Sequence, residues 1–457
     1  MKAEAAACVP PLRSEAKIRD NGRLHAADPE RRKRGPSAMK SKGVRLYGAY
    51  DIRLEEFDLP EIRDDEILVR VMSDSICMST YKLLVQGKSH KRCPQNVDTH
   101  PVLIGHEFAG DIVKVGKKWR GEFQPGEKFA QQPALNYKGS LASPGYSYQY
   151  FGGACTYCIV PREVMELGYL LHYDGESYFE ASLGEPMSCI VGGYYGNYHT
   201  NKVDHRHSIG VKAGGSVLIM GGCGPMGLGA IEYPLVLENK PSMIVVTDLS
   251  DERIARARRF ISEEEAARHG VRLIYVNPSR CEDEFATLMG LTGGKGYDDI
   301  FVINAIRSLA EMGDRLLGYD GCMNFFSGPT NKEFSATINL YNCHYSSTHI
   351  LGTTGSTTAD LKEALSLAAE GKIRPAVMVT HVGGMDSIAE TTRNLPQIPG
   401  GKKLAYTQFD MPMTAIDDFR EKGREDPLFA RLADCCDAHG GLWNSEAEKI
   451  LFRHFEV

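Results

Sequence analysis

The chain has 457 residues, 42% of them hydrophobic and 25% charged, an ordinary globular mixture long enough for two domains with substantial cores. Its net charge of -6 comes from 53 basic and 59 acidic residues without a basic stripe, which leaves a nucleic-acid backbone little to bind. No apolar run reaches the roughly 20 residues that span a bilayer and no secretory stretch opens the chain, so a cytoplasmic protein without a membrane partner is expected.

Residues 1–38 hold a Pro-Pro pair, the run Arg31-Arg32-Lys33-Arg34 and almost no apolar periodicity. They read as a disordered tail, an extension upstream of a natural start near Met39. The acidic residues Glu4, Glu15, Asp20, Asp28 and Glu30 argue against a mitochondrial transit peptide. From Val44 onward, short alternating segments such as 67–71 and 110–115 predict a β-rich domain, its first part spanning 39–195. In 196–374, apolar strands at 217–220, 243–246, 299–303, 322–326 and 349–351 alternate with helices at 251–262 and 360–370. That alternation predicts βαβ units and a doubly wound parallel sheet, so the fold class is α/β. Residues 375–457 are expected to return to the first domain and end in a helical extension, with helices near 415–422 and 428–438. The 12 cysteines are scattered, which suits reduced thiols and metal ligation better than a disulfide framework.

Gly222-Cys223-Gly224-Pro225-Met226-Gly227 follows an apolar strand and leads into a helix. Glycines permit the tight turn and close approach, and the helix N-terminus offers free N–H groups to a pyrophosphate. A second strand ends at Asp248, about 20 residues on, where a carboxylate can bond the adenosine ribose hydroxyls. The plainer alternative is an ordinary glycine turn with Asp248 capping the next helix. The candidate cofactor residues are therefore Gly222, Gly224, Pro225, Met226, Gly227 and Asp248. A carboxylate at Asp248 repels a 2′-phosphate and favours NAD(H), although Arg253 nearby keeps NADP(H) open.

A hydride leaves an alcohol carbon readily when the hydroxyl is deprotonated, and a Zn2+ Lewis acid promotes that. Catalytic zinc takes three protein ligands and keeps an exchangeable position. Cys77 lies just beyond a strand, Gly105-His106-Glu107 follows an apolar segment, and Glu185 sits in Gly184-Glu185-Pro186. Singly, each has a plain structural explanation: a small core thiol, a hydrogen-bonded imidazole, a surface carboxylate.

Together, Ser75-Ile76-Cys77-Met78-Ser79, Gly105-His106-Glu107-Phe108-Ala109-Gly110, Gly184-Glu185-Pro186 and the glycine loop resemble zinc-containing medium-chain dehydrogenases in order and spacing. The resemblance covers most of the chain from about 40 to 408. It is strongest to the sorbitol-dehydrogenase branch and, within it, to bacterial L-sorbose 1-phosphate reductases. It implies a GroES-like catalytic domain beside a Rossmann-type coenzyme domain. It also implies Cys77 and His106 as zinc ligands, with Glu107 or Glu185 binding directly or exchanging with water. Ser79 falls where the family's hydroxyl contacts the substrate oxygen and relays its proton. Two positions depart from the pattern. Met78-Ser79-Thr80 stands where many relatives have Gly-Ser-Asp, and Lys82 stands near a relay histidine. That lysine could serve the cofactor ribose, a substrate phosphate, or only solvent. The family's structural zinc lobe needs four cysteines, but 131–151 contains none, and Cys155 and Cys158 are one pair; a single catalytic zinc is expected.

The narrower resemblance implies reduction of L-sorbose 1-phosphate to D-glucitol 6-phosphate, with Lys82, Lys88 and Lys91 as candidate phosphate contacts. The alternatives are a dehydrogenase of an unphosphorylated polyol, an inositol or threonine, a zinc-free quinone reductase, and a nonenzymatic nucleotide-binding regulator. A homo-oligomer is expected from the family.

Overall fold

The computed structural model describes residues 39–200 and 203–457; the tail expected at 1–38 lies outside them. Antiparallel strands Met39–Gly48 and Asp51–Leu59 open the described chain. The next strand, Ile67–Ile76, is buried at nine of its ten positions, as a strand covered on both faces must be. It is the hub of an eight-stranded sheet. Phe108–Val115, Tyr157–Val160 and Lys402–Tyr406 all pair with it antiparallel.

Register in this sheet places the chemistry. Asp74 faces Phe108, and Ile76 faces Lys403. Cys77 follows the end of one strand, Glu107 precedes the start of its neighbour, and Lys402 begins the third. Three residues distant in sequence therefore meet at one end of the sheet.

The second sheet has six parallel strands in the order Arg272–Val276, Met243–Thr247, Ser216–Met220, Tyr297–Val302, Leu317–Phe325 and His349–Leu351. Ser216–Met220 and Met243–Thr247 are wholly buried, consistent with helices covering both faces. Chain order reverses between Ser216–Met220 and Tyr297–Val302, and that switch point opens the crevice in which such sheets bind dinucleotides. This is the GroES-like plus Rossmann-type α/β architecture read from the sequence.

Helix Tyr178–Gly196 links the two sheets, packing on Ile67–Ile76, Phe108–Val115, Pro225–Val236 and the helix Thr358–Ala369. It continues through Pro186, so Gly184-Glu185-Pro186 lies inside a helix and Glu185 sits at its middle. Its first amides are satisfied from far along the chain. The Glu448 carboxylate accepts from Tyr178 N at 2.8 Å and Phe179 N at 3.0 Å, a favourable place for negative charge at a helix N-terminus. Glu448 belongs to helix Ser445–His454, which with Pro427–Ala438 seals an apolar cluster around the buried Trp443. Truncating that indole to alanine would cost about 3–5 kcal/mol.

Two expected helices are shorter than their sequence pattern. Asp251–Phe260 stops before 262 because Ser262 turns away to cap the next helix, its Oγ accepting from Glu265 N at 3.1 Å. The segment 415–422 splits because Thr414–Ala415 pairs with the strand Val379–Gly384, leaving only Phe419–Lys422 as α-helix.

Candidate active site

Cys77 is the N-cap of helix Met78–Gln86, so its sulfur sits where the helix dipole favours a thiolate. His106 and Glu107 leave the turn after Val102–Leu103. Gly105 in that turn has φ +86°, and a Cβ there would lie 2.3 Å from an Asp74 carboxylate oxygen; only glycine fits. Ligand atoms of Cys77, His106 and Glu107 all lie within 4.8 Å of one another, the one such metal-capable group among the described residues. A soft thiolate, an imidazole and a carboxylate make a donor set that suits Zn2+.

Ser79 is fixed between two of these donors. Its Oγ lies 3.0 Å from Cys77 Sγ and 3.2 Å from His106 Nε2. Tyr146 adds a second hydroxyl 3.5 Å from the same nitrogen, its ring tilted against the His106 ring at 5.0 Å. Glu185 faces the group from its helix and keeps some accessible surface, its one recorded side-chain partner being Cys189 Sγ at 3.8 Å.

The electrostatics are those of a site built for a cation. Burial pushes the Cys77 thiol up to about 12, with the Glu107 charge adding to it. Burial holds His106 down to about 4, a neutral ligand-ready imidazole. Burial also raises Glu185 to about 8, again reinforced by Glu107. Burial, and then the same carboxylate, push Asp74, behind Glu107, well above the usual carboxylate range. Glu107 is the exception. Burial disfavours its charge, but the Lys402 ammonium, 2.5 and 2.6 Å from its oxygens, outweighs burial and keeps it ionised. A bound divalent cation would reverse the burden on Cys77, because coordination deprotonates a thiol outright.

Lys402 was not among the residues expected from sequence. It lies 295 residues from Glu107, in a strand whose Lys402-Lys403 pair gives no local sign that both lysines are buried. Tyr146 and Arg92 were also missed. Among the expected residues, Lys82 reaches across the interdomain cleft, donating to Gly328 O at 2.5 Å. Lys88 is paired with Asp98 at 3.0 Å, and Lys91 is exposed. Cys155 and Cys158 are fully buried in the core of the first domain, and the cysteines among the described residues are free thiols.

The glycine loop stands at the switch point. Gly224 caps helix Pro225–Val236, and a Cβ on it would meet nothing, so the helix N-terminus is open to a ligand. Gly227 has no such freedom: a Cβ would fall 2.1 Å from Gly222 O. Asp248 accepts from Cys223 N at 3.2 Å and Ser250 N at 3.1 Å, tying the loop to the end of Met243–Thr247. The following helix is capped by Ser250 Oγ, which accepts from Arg253 N, so the carboxylate of Asp248 is not its cap. Pro225 and Met226 occupy the first turn of helix Pro225–Val236.

Comparison with known proteins agrees with this geometry. Residues 63–168 match the alcohol dehydrogenase GroES-like domain, and residues 225–370 match the zinc-binding dehydrogenase domain. The chain is 46% identical to mannitol-1-phosphate 5-dehydrogenase of Aliivibrio fischeri, over 90% of this chain and 97% of that protein. It is 43% identical to L-sorbose 1-phosphate reductase of Klebsiella pneumoniae, over 90% and 97% respectively. The crystal structure of 2R,3R-butanediol dehydrogenase from Bacillus subtilis superposes with a TM-score of 0.65 at 24% identity, over 80% of this chain and 99% of that one. Metal-capable donors at the end of one sheet, a glycine loop at the switch point of the other and near full-length likeness to such enzymes lead to one conclusion: the chain belongs to the zinc-binding alcohol and polyol dehydrogenase family and is an oxidoreductase.

Proposed function

We propose that the protein interconverts a ketose phosphate and its hexitol phosphate with a nicotinamide cofactor, reducing L-sorbose 1-phosphate to D-glucitol 6-phosphate. In balance, ketone, NADH and one proton give secondary alcohol and NAD+. The observation that carries the zinc chemistry is the Cys77, His106 and Glu107 cluster with a serine hydroxyl set against it. The phosphate on the substrate rests on the two relatives whose names contain it.

One zinc held by Cys77, His106 and Glu107 would supply a Lewis acid at the substrate oxygen. Glu185, with no cation partner of its own among the described residues, is the alternative carboxylate ligand. Lys402 holds Glu107 ionised and in place, so the donor set stays assembled. Ser79 Oγ is positioned to donate a hydrogen bond to the substrate oxygen and pass its proton outward. Lys82, anchored at Gly328 O in the cleft, is placed to contact the cofactor or substrate there. Gly224, Met226 and Gly227 present backbone N–H groups to the pyrophosphate, while Gly222, whose N–H is held by Thr247 O, and Pro225, which has none, shape the turn. Asp248 retains lone pairs for the adenosine ribose and favours NAD(H) over NADP(H). We read 39–195 with 375–457 as the catalytic domain and 196–374 as the coenzyme domain of a cytoplasmic homo-oligomer.

The test is a zinc assay combined with a panel of L-sorbose 1-phosphate, glucitol 6-phosphate, mannitol 1-phosphate, sorbitol, inositol and threonine, each with both cofactors. About one zinc per chain, and kcat/KM for a hexitol phosphate at least ~100-fold above that for sorbitol, are expected. Full activity without zinc would point to a quinone reductase instead. Equal turnover of sorbitol and glucitol 6-phosphate would remove the phosphate from the reading.

A further inference from the structure

We infer that Arg92, with Lys91 beside it, binds the phosphate of a phosphorylated ketose or hexitol at the mouth of the metal site. This rests on the reading of a phosphorylated substrate and names the residues that would recognise it.

The assignment begins with a ring. Tyr146 stands between the metal donors and the loop after helix Met78–Gln86. On one side its hydroxyl is 3.5 Å from His106 Nε2. Elsewhere on the ring His90 stacks, with centroids 5.4 Å apart and planes 13° from parallel, and the Arg92 guanidinium carbon lies 5.6 Å from the centroid. The loop is held from within. Arg92 N donates to His90 Nδ1 at 3.3 Å, Ser147 Oγ donates to Arg92 O at 2.7 Å, and Cys93 and Val97 are buried.

Charge gives the site its sign. The Arg92 guanidinium stands one ring away from the metal donors, since the same Tyr146 ring carries its hydroxyl to His106. Burial first, and then Arg92, Lys91 and Lys82 together, hold His90 down to about 4. Among the described residues none of these three cations has an ion-pair partner, whereas Lys88 in the same loop is paired with Asp98 at 3.0 Å. Converging unpaired cations repel one another at a cost that a dianion removes. A phosphate monoester brings nearly two negative charges and three acceptor oxygens, and a guanidinium meets it with a two-pronged fork. Lys82 gives one of its donors to Gly328 O across the cleft, whereas Arg92 and Lys91 make no recorded side-chain hydrogen bond among the described residues.

The experiment compares kcat and KM for glucitol 6-phosphate and for sorbitol in the zinc-loaded full-length enzyme and in Arg92→Gln, Arg92→Lys and Lys91→Gln. Zinc content and NADH binding serve as the folding controls. Arg92→Gln is expected to raise KM for glucitol 6-phosphate about 100-fold, with a much smaller change in kcat, and to collapse the preference for the phosphate ester by a similar factor. Arg92→Lys should recover part of that preference, and Lys91→Gln should lose about 10-fold. Inorganic phosphate should compete with glucitol 6-phosphate in the wild type and lose this effect in Arg92→Gln. A wild type that prefers the phosphate ester and an Arg92→Gln that keeps the preference would overturn the assignment alone. Equal losses on both substrates would also overturn it, by showing that Arg92 only holds the loop. A wild type without any preference would sink the substrate reading itself. If Arg92→Gln does not fold, Arg92→Lys decides: about a 10-fold loss of preference supports the assignment, and no loss refutes it.

Discussion

The dinucleotide loop and the metal cluster are built in opposite ways. The loop, its helix and Asp248 belong to one continuous strand–helix–strand unit, and it offers a ligand mostly backbone groups. The cluster joins Cys77, His106, Glu107, Tyr146, Glu185 and Lys402 from five separate stretches of chain, and it offers only side chains. The first site tolerates distant changes because its geometry is local. The second holds several groups in charge states that only the assembled fold imposes, so it should be the more fragile.

Cys77→Ser should test the separation most severely. Replacing the thiolate is expected to remove zinc and lower kcat/KM by at least ~1,000-fold, while NADH binding, followed by fluorescence titration, stays near wild type. Loss of both together would mean that the two sites are not independent. Lys402→Met comes next. It strands the Glu107 carboxylate in the core and should cost about 3–5 kcal/mol in urea unfolding of the zinc-free protein. Adding Glu107→Gln should restore most of it, because the uncompensated charge is gone. Gly227→Ala should strike the other site: its Cβ would press on Gly222 O, raising KM for NADH roughly 10- to 100-fold with zinc content unchanged.

The smallest expected effect is on pH dependence. Burial raises the Glu448 carboxyl to about 7, against hydrogen bonds from Tyr178 N, Tyr406 OH and Phe179 N that lower it. Between the ordinary value of 4.5 and about 7 the folded chain therefore holds a proton that the unfolded chain has released. Linkage then makes stability fall as pH rises through that window and level off above it. Glu448→Gln should flatten that part of the Tm profile. An unchanged slope would show that the C-terminal helix docks with its carboxylate ionised.

The two sites also differ in how far they could be read in advance. The glycine spacing, the strand before it and the acidic residue after it are local signals, and the parallel sheet follows from the apolar strands at 216–220, 243–247 and 297–302. Cys77, His106 and Glu107 could be named because a motif marks each of them. Their mutual distance could not, since strand register sets it. Gly184-Glu185-Pro186 carries two helix breakers and gives no sign of the 19-residue helix that runs through it. Packing between two sheets, and amides capped by Glu448, override the local preference.

By itself the sequence determined the two-domain α/β architecture and the glycine loop, and it named Cys77, His106, Glu107 and Glu185 as candidate metal ligands, because periodicity, glycine turns and short motifs act over a few residues. Only the tertiary structure decided that Lys402 pairs with Glu107, that Glu185 has no ion pair among the described residues, and that Tyr146 lies between Arg92 and His106. Charge and burial at a buried point depend on everything packed around it, and the residues that pack there come from the whole length of the chain.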